Sequence, residues 1–419
     1  MLRRTAVSVA LCTVIALSTL QLTRVRAERE ATTAPEHLSP YGLAKPVLIV
    51  AADLPKDFDN SDKIAVLDVR RNEPPAGFQF LKRRDDSPAG GKVGVYVPPD
   101  SILRIKGRTM SNIGKGTVTL QLAKSETLPA RSVLLEGKQT ADYNEMRRCA
   151  MARIAEKPYP PKHLPAPFVP KGTLLIIGGG GMTPDMGKRF FDAGGGADGY
   201  FVVLPIAVPD QAINSAREEQ FIRRMGAKHV TVITQREQKD LEKPETIAVL
   251  KQATAIWFGG GRQWNFVDAY EGTKLPALFR DVLNRGGVIG GSSAGATIQG
   301  DYLIRGAPAG PNIMMCEGYE RALGFLPGVA IDQHFSARKR FKDMTSFMAK
   351  YPQYLGIGID ESTAIVVQGS IAEILGKGKV HFYDRRKPVT DSEKDYEAYP
   401  AGTKYDLAKR QKIEKAAQK

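Results

Sequence analysis

Short apolar runs alternate with helix-compatible segments over the central part of the chain. The runs that predict buried strands lie at 174–177, 201–204, 230–233, 255–258 and 288–289. The segments that predict helices lie at 211–225, 244–252 and 275–284. This alternation is typical of a mostly parallel sheet that is covered by helices on both faces. We therefore predict a doubly wound α/β domain over residues 172–385.

The preceding part of the chain has a different pattern, with short β-branched runs and no long helical period. The predicted strands lie at 47–50, 64–69, 93–97, 102–105, 118–122 and 132–135. A helical segment at 141–155 follows, and then a proline-rich stretch that can neither continue a helix nor fill a central strand. We therefore expect a small β-rich domain with one helix over residues 28–156 and a linker at 157–171. Residues 386–419 are polar and basic and predict a surface tail.

The N-terminus has the pattern of a secretory signal peptide. Arg3 and Arg4 precede an apolar run from 6 to 20, and the small-residue cleavage pattern Val25-Arg26-Ala27 follows. We therefore expect residues 1–27 to be removed and the protein to be exported. No later segment approaches about eighteen unbroken apolar residues, so we do not expect stable membrane insertion after cleavage.

The composition is that of a globular protein, with 419 residues, 42% hydrophobic, 25% charged and a formal net charge of +15. The basic charge comes without a helix-turn-helix, zinc-finger or aromatic-basic RNA-binding pattern, so nucleic acid is not an expected partner. Cys149 and Cys316 could pair in an exported protein, but so few cysteines in a long chain favour inert buried thiols. Their spacing does not fit a metal site, and we expect no metal or other cofactor. A homodimer is compatible with the sequence.

A Gly-x-Ser-x-Gly turn at residues 291–295 is the strongest chemical signal, because an apolar strand there runs directly into a helix-compatible stretch. Small residues at Gly291 and Gly295 permit a sharp strand-to-helix turn that lifts the Ser293 hydroxyl out of the backbone. This geometry favours a serine nucleophile. A glycine-rich turn after a strand is also ordinary in α/β folds, so the interpretation depends on a base and an acid elsewhere in the chain.

Two sets of partners for Ser293 compete. In the first, His334 at a strand end is the base and Glu361, which follows another apolar run, is the acid. In the second, Asp360 and His381 follow the serine in the order typical of α/β-hydrolases. Adjacent strand residues face opposite sides, so only one of Asp360 and Glu361 reaches an imidazole. His381 lies in a predicted hairpin, where a histidine needs no special role, and this context favours the first set.

Four linked motifs resemble the cyanophycinase family of serine peptidases, which also contains aspartyl dipeptidase (peptidase E). The motifs are Gly260-Gly261-Arg262-Gln263, Gly291 to Ala296, Asp332 to Phe335 with Arg338 and Arg340, and Gly356 to Glu361. The resemblance covers residues 172–385 and implies a fold similar to that of class I glutamine amidotransferases. The β-rich segment and the tail lie outside it.

The resemblance also implies roles for individual residues. Ser293 is the implied nucleophile, His334 the general base and then acid, and Glu361 the residue that orients the histidine. The backbone amides of Gly261 and Ala294 are the implied oxyanion hole, in keeping with the position of Ala294 directly after the serine. The implied substrate-binding residues are Gln263, Asp332, Gln333, Arg338 and Arg340.

The family's substrate, cyanophycin, is poly-aspartate with arginine attached through each β-carboxyl, and family members release β-Asp-Arg dipeptides from it. Arg338 and Arg340 suit an aspartyl carboxylate, and Asp332 suits an arginine side chain. Cyanophycinases commonly carry a third arginine where Asp343 stands and an acidic residue where Arg262 stands. Two charges of the implied pocket are therefore altered in this chain.

The expected function is that of an exported, metal-independent serine exopeptidase or isopeptidase that hydrolyses cyanophycin. One alternative is a peptidase-E-like dipeptidase or another isopeptidase acting on acidic peptides. The other is a non-catalytic exported protein that binds a polymer, although the presence of Ser293, His334 and Glu361 weighs against it.

The run Gly178 to Gly181 resembles part of a dinucleotide-binding pattern, but Thr183 occupies its last glycine position, so we expect a tight turn that lines the active-site crevice.

Overall fold

The computed structural model describes residues 47–52, 65–389 and 394–414, which all belong to one compact unit spanning residues 37–419. The predicted signal peptide at 1–27 lies outside the described residues. Within the described ranges, no helix is both long enough and apolar enough to cross a membrane.

The N-terminal region consists of two small sheets and one helix. Its strands are β1 (Val47–Ala51), β2 (Ala65–Asp68), β3 (Phe78–Phe80), β4 (Val93–Tyr96), β5 (Ile102–Lys106), β6 (Thr109–Asn112), β7 (Val118–Leu122), β8 (Arg131–Leu135) and β9 (Thr140–Asp142). One sheet has the order β2-β1-β5-β6-β9 and the other β3-β4-β7-β8. Helix α1 (Tyr143–Ala152) begins at Asp142, whose carboxylate caps the helix by accepting a hydrogen bond from the Glu145 amide.

The second region alternates strands and helices, and its mixed α/β class is as predicted. In chain order its elements are β10 (Val169–Ile177), α2 (Pro184–Ala193), β11 (Tyr200–Leu204), α3 (Ser215–Arg223), β12 (His229–Val232), α4 (Gln238–Leu241), α5 (Pro244–Gln252), β13 (Ala255–Phe258), α6 (Trp264–Tyr270), α7 (Leu275–Asn284), β14 (Val288–Ser292), α8 (Ala294–Thr297), β15 (Val329–Asp332), α9 (Phe341–Lys350), β16 (Leu355–Ile359), β17 (Thr363–Gly369), β18 (Ile371–Gly376) and β19 (Lys379–Asp384). Short 3₁₀ turns lie at Gly196–Asp198 and Asp210–Ala212.

The last elements are β20 (Glu397–Pro400), β21 (Lys404–Asp406) and β22 (Gln411–Lys412). They differ from the surface tail that we expected over 386–419. β20 pairs with β19, and β21 pairs with β18, so this polar stretch completes two sheets. The Tyr405 ring stacks on Phe382 at a centroid distance of 3.8 Å, and this contact buries an aromatic side chain in a stretch that otherwise reads as polar.

The largest sheet has nine strands in the order β12-β11-β13-β14-β10-β17-β18-β21-β22. Its first five strands are parallel, and from β17 onward each strand runs antiparallel to its neighbour. Alternate residues of β10 enter different cores: Leu174 and Ile176 pack with α6 and α7, whereas Leu175 and Ile177 pack with α2 and α3. The sheet is therefore covered on both faces. A separate four-stranded sheet has the order β15-β16-β19-β20.

The N-terminal region packs directly against the α/β region instead of being held apart by the predicted linker at 157–171. Arg108 forms ion pairs with Asp142, at 2.8 Å, and with Asp268 of α6. Arg153, just after α1, bonds Glu317 at 2.7 Å. These guanidinium groups are almost fully buried, and a buried charge is tolerated only when it is paired in this way.

Cys149 of α1 and Cys316 of the α/β region meet in the same interface. Both are buried free thiols, and both sulfur atoms contact the Glu317 carbonyl oxygen, at 3.2 and 3.7 Å. Burial raises the pKa of each thiol far above its usual range, so both stay protonated near pH 7. Since the thiolate is the reactive form, burial disfavours reaction at either cysteine.

Candidate active site

Ser293 lies in a strained turn between β14 and α8. Its φ is +56°, a left-handed conformation that is uncommon for residues other than glycine. A Cβ atom on Gly291 would lie 2.3 Å from the Gly295 carbonyl oxygen, and one on Gly295 would lie 2.1 Å from the Phe258 carbonyl oxygen. Only glycine fits at these two positions, so the sequence pattern enforces the sharp turn that exposes the serine hydroxyl.

A chain of two hydrogen bonds links Ser293, His334 and Glu361. The Ser293 Oγ lies 2.9 Å from His334 Nε2, and His334 Nδ1 lies 2.6 Å from Glu361 Oε1. With the Nδ1 proton directed at the carboxylate, Nε2 is free to accept the hydroxyl proton. Desolvation by burial lowers the pKa of His334, and Glu361 opposes this shift. The histidine is therefore mostly neutral near pH 7, the form that a general base requires.

The turn after β10 binds the backbone of all three segments that carry these side chains. The Ile177 carbonyl accepts from the Ser293 amide at 3.0 Å, the Gly178 carbonyl accepts from the His334 amide at 2.7 Å, and the Gly179 carbonyl accepts from the Ser362 amide at 2.7 Å. This turn is the glycine run that we expected to line the crevice. It therefore fixes the relative positions of three segments that are far apart in the sequence.

The amides of Gly261 and Ala294 both belong to segments next to the serine. Ala294 is the first residue of α8, so its N–H has no acceptor within the helix. Gly261 has a φ of +142°, and among the described residues its amide donates no hydrogen bond. The neighbouring Gly260 is close enough that a Cβ atom there would lie 3.6 Å from the Ser293 Cβ. Two amide donors are thus available beside the hydroxyl.

Asp332 is not available to a substrate, in contrast to the predicted contact with an arginine side chain. Its side chain is buried, and its carboxylate accepts from Arg305 Nε at 3.1 and 3.2 Å and from Arg340 Nη1 at 2.6 Å. Two internal guanidinium groups therefore already satisfy it. Burial, partly offset by Asp332, lowers the pKa of Arg340 to about 10. The observed role of Asp332 is to hold Arg340.

Of the other predicted pocket residues, Gln263 and Gln333 are buried, whereas Arg338 is exposed. Gln263 is buried, and its amide donates to the carbonyls of Ile304 and Arg305, both at 2.8 Å, so it fixes that loop. Gln333 is buried with Oε1 lacking a partner among the described residues. Arg338 is exposed, and its side chain bonds no described side chain. Its backbone amide donates to the His334 carbonyl at 3.0 Å, and its charge lowers the pKa of His334. Arg338 is thus an exposed cation close to His334.

The two charges that depart from the family pattern are both engaged within the protein. Asp343, in the first turn of α9, accepts from Arg305 Nη2 at 2.6 Å. Arg262 donates from Nη2 to the Ala307 carbonyl at 2.7 Å, and burial lowers its pKa. Arg305 was missed by the sequence reasoning. The sequence does indicate this residue, because an arginine inside the apolar run Leu303 to Ala307 is expected to be buried and to need a charged partner.

The alternative set of partners is assembled away from Ser293. His381 Nε2 lies 3.2 Å from Asp360 Oδ1 and 3.3 Å from Ser336 Oγ. Burial alone would raise the pKa of Asp360. Hydrogen bonds from His381, Ser336 and the Lys379 amide outweigh this effect and hold the pKa at about 2. Asp360 therefore braces the segment after His334 and does not contact the nucleophile.

Within the part of the chain that the structure describes, no group of three or more His, Cys, Asp or Glu side chains is placed to hold a metal ion.

Comparison with known proteins places the α/β region in a family. Residues 174–375 match the model of peptidase family S51. A cyanophycinase from Geminocystis herdmanii is 32% identical over 221 residues, which are 51% of this chain and 81% of that protein. A cyanophycinase from Trichormus variabilis is 31% identical over 226 residues, covering 52% of this chain and 75% of the relative.

Among solved structures, a peptidase from an acI-B1 Actinobacterium aligns over 58% of this chain and 98% of its own, with 23% identity and a TM-score of 0.43. The N-terminal β-rich region lies outside the segment matched by the family model. On the sequence relatives and the family model, the chain belongs to peptidase family S51 and is a serine-type peptidase.

Proposed function

We propose that this protein is an exported serine isopeptidase that hydrolyses cyanophycin to β-Asp-Arg dipeptides through Ser293, His334 and Glu361. The observation that carries the proposal is the pair of hydrogen bonds at 2.9 and 2.6 Å that connects the three side chains. The two cyanophycinases described above support the substrate class. Export rests on the signal-like pattern at residues 1–27.

In the proposed reaction, Ser293 Oγ attacks the scissile carbonyl carbon while His334 Nε2 takes up the hydroxyl proton. The developing oxyanion is held by the amides of Gly261 and Ala294, each worth about 3 kcal/mol in comparable sites. His334 then protonates the leaving amine, and the acyl group remains on the serine as an ester. Water, deprotonated by His334, attacks this ester, and His334 returns that proton to Ser293 Oγ as the acid product leaves. Glu361 stabilises the imidazolium in both steps.

Arg338 is the residue best suited to bind a carboxylate of the substrate. It is exposed and close to His334, and no described side chain competes for it. Arg340 is buried and bonds Asp332 and the Gln333 carbonyl, so it is not available to the substrate. The altered charges at Arg262 and Asp343 favour a second candidate, a peptidase-E-like enzyme or another isopeptidase that cleaves acidic peptides.

The deciding experiment incubates residues 28–419 with insoluble cyanophycin and follows β-Asp-Arg by mass spectrometry. We expect dipeptide release from the wild-type protein. A folded wild-type protein that releases none, but cleaves a β-aspartyl or acidic dipeptide, would instead establish the second candidate. A protein that binds the polymer and cleaves neither substrate would establish the non-catalytic alternative.

The pH dependence of kcat/KM is expected to follow the protonation of His334. Because the neutral imidazole is the active form, the rate should rise with pH and reach half its plateau below the ordinary histidine value of about 6.5. In Glu361→Gln the carboxylate that raises this pKa is absent, so the half-point should move lower while the plateau falls. A soluble β-Asp-Arg oligomer assayed across this range measures both. A half-point above 6.5 in the wild type would contradict the assignment.

His381→Ala should retain kcat/KM within about tenfold of the wild type, since this histidine contacts Asp360 and Ser336 and not the nucleophile. Loss of a buried hydrogen-bonded group should still lower the free energy of unfolding by about 1–3 kcal/mol. His334→Ala, measured in the same assay, is the reference for loss of the base. Equal losses of activity in the two variants, with both folded, would instead support Asp360 and His381 as the partners of Ser293.

A further inference from the structure

A cavity of about 490 Å³ lies where the N-terminal region meets the α/β region. One wall comes from α1 and the residues that follow it, and the opposite wall from the segment 318–321 together with Glu271. It shares no lining residue with the serine, histidine and glutamate of the active site. The first wall lies outside the segment matched by the family model, which begins at residue 174. A volume of this size accommodates a small ligand or one side unit of a polymer.

Some charged side chains around the cavity are paired within the protein and others are not. Arg148 is bound to Glu271 and to the Gly318 carbonyl, and Arg153 to Glu317, so these two guanidinium groups are committed. The carboxylate of Glu320 makes no hydrogen bond or ion pair with any described residue. Burial raises its pKa to about 7. Lys350 and Arg321 partly oppose this shift, but neither forms an ion pair with the carboxylate, which therefore still favours a cationic group entering the cavity.

Arg321, next in sequence, supplies the opposite charge. Its guanidinium lies over the Tyr159 ring at 4.6 Å and forms no hydrogen bond with a side chain or carbonyl of the described residues. Met151 and Ile154, on the wall from the N-terminal region, are 50% and 51% exposed, an unusual degree for large apolar side chains. The cavity therefore combines an apolar wall with a carboxylate and a guanidinium that form no close ion pair.

We propose that this cavity is an accessory site for an arginyl group that carries a free α-carboxylate, the side unit of cyanophycin. The guanidinium of the ligand pairs with Glu320, its carboxylate with Arg321, and its methylene stem packs on Met151 and Ile154. This inference rests on the proposed function for the identity of the polymer. Its ligand chemistry rests on the cavity alone. Holding a second unit of the same chain raises the effective concentration of polymer at the active site.

The binding test uses the full exported chain with Ser293→Ala, so that no substrate is turned over. Titration calorimetry with L-arginine is compared with L-citrulline, which has the same shape without the positive charge. We expect arginine to bind and citrulline to bind at least about tenfold more weakly, since a hydrogen bond to a charged group accounts for about 1.5–3 kcal/mol. Adding Glu320→Gln should weaken arginine binding by a similar factor. Arginine binding that is unchanged by this substitution would overturn the proposal.

The kinetic test uses Glu320→Gln in the active enzyme. We expect the apparent KM for cyanophycin to rise about tenfold with kcat unchanged, because the accessory contact acts on polymer binding and not on chemistry. Glu320→Gln and the wild type should cleave a single β-Asp-Arg-containing unit at the same rate, because one unit cannot occupy the accessory site and the active site together. Glu218→Gln is the matched control, since it is another partly buried carboxylate with a raised pKa, but it lies on α3 outside the cavity.

Folding does not confound these measurements. Replacing an unpaired shielded carboxylate by its neutral isostere should leave the melting temperature unchanged or raise it. A polymer KM equal in Glu320→Gln and Glu218→Gln would reject the accessory site while leaving the hydrolytic function intact. Conversely, arginine binding that depends on Glu320 in a protein that does not cleave cyanophycin would support the arginyl site and reject the proposed polymer substrate.

Discussion

Ser293→Ala is expected to lower the rate of β-Asp-Arg release by on the order of 10⁴-fold or more, the largest effect of any single substitution in this chain. The hydroxyl that lies 2.9 Å from His334 Nε2 is the only group in the relay that can form the acyl bond. Without it, the two amides can still polarise the carbonyl and His334 can still take a proton from water, but no ester on the enzyme can form. Dipeptide release per enzyme molecule, followed by mass spectrometry over hours, measures the residual rate.

The neighbouring serine provides the control for this substitution. Ser292 is the last residue of β14, so Ser292→Ala makes the same chemical change one position earlier in the same turn. We expect this variant to keep activity within about tenfold, and both variants to melt near the wild-type temperature, because neither change opens a large cavity. Appreciable activity in Ser293→Ala would exclude the serine mechanism.

Gly179→Ala is expected to reduce kcat/KM by about 10²-fold or more, although residue 179 contributes no catalytic side chain. A Cβ atom at this position would lie 2.2 Å from His334 Cε1 and 2.6 Å from His334 Nε2. The imidazole must therefore move by an ångström or so, and a displacement of about 1 Å in a reacting group typically costs about 10²-fold in rate. Steady-state kinetics on a soluble oligomer measure the loss.

The same turn offers a control that separates displacement of the histidine from backbone strain. Gly179 and Gly181 have nearly equal φ values, +101° and +105°, but a Cβ atom on Gly181 would meet nothing within 4 Å. Gly181→Ala should therefore show the strain alone, about 1–2 kcal/mol of stability, with activity largely retained. Similar losses of activity in the two variants would mean that strain in the turn, and not the position of the imidazole, limits the reaction.

Much of the α/β region was predictable because its elements obey simple periodicities. The strands β10 to β14 and the helices α5 and α7 lie where the apolar runs and helical segments predicted them. The turn at Ser293 was predictable for a steric reason, since its two glycines admit no side chain. The proximity of His334 and Glu361 to the serine followed from their positions at strand ends and from the family resemblance.

Other features depend on contacts that no local pattern records. The strands β20, β21 and β22 are two to four residues long and mostly polar, so they are recognisable only from their partners in the sheets. The occupation of Asp332 by Arg305 required knowledge that a loop 27 residues earlier returns to the pocket. The proline-rich stretch suggested a boundary, yet buried ion pairs on either side of it join the two regions.

The contacts of the turn after β10 also have a consequence for the protein while it is being synthesised. Its carbonyls are made early, but one of the amides that bind them belongs to Ser362, nearly two hundred residues later. A chain that is still emerging from the ribosome therefore carries its serine without the acid or the backbone contact that positions it. We therefore expect hydrolytic activity to appear only after the strands that follow Glu361 have been synthesised. This order would delay peptidase activity in the cell that makes the enzyme.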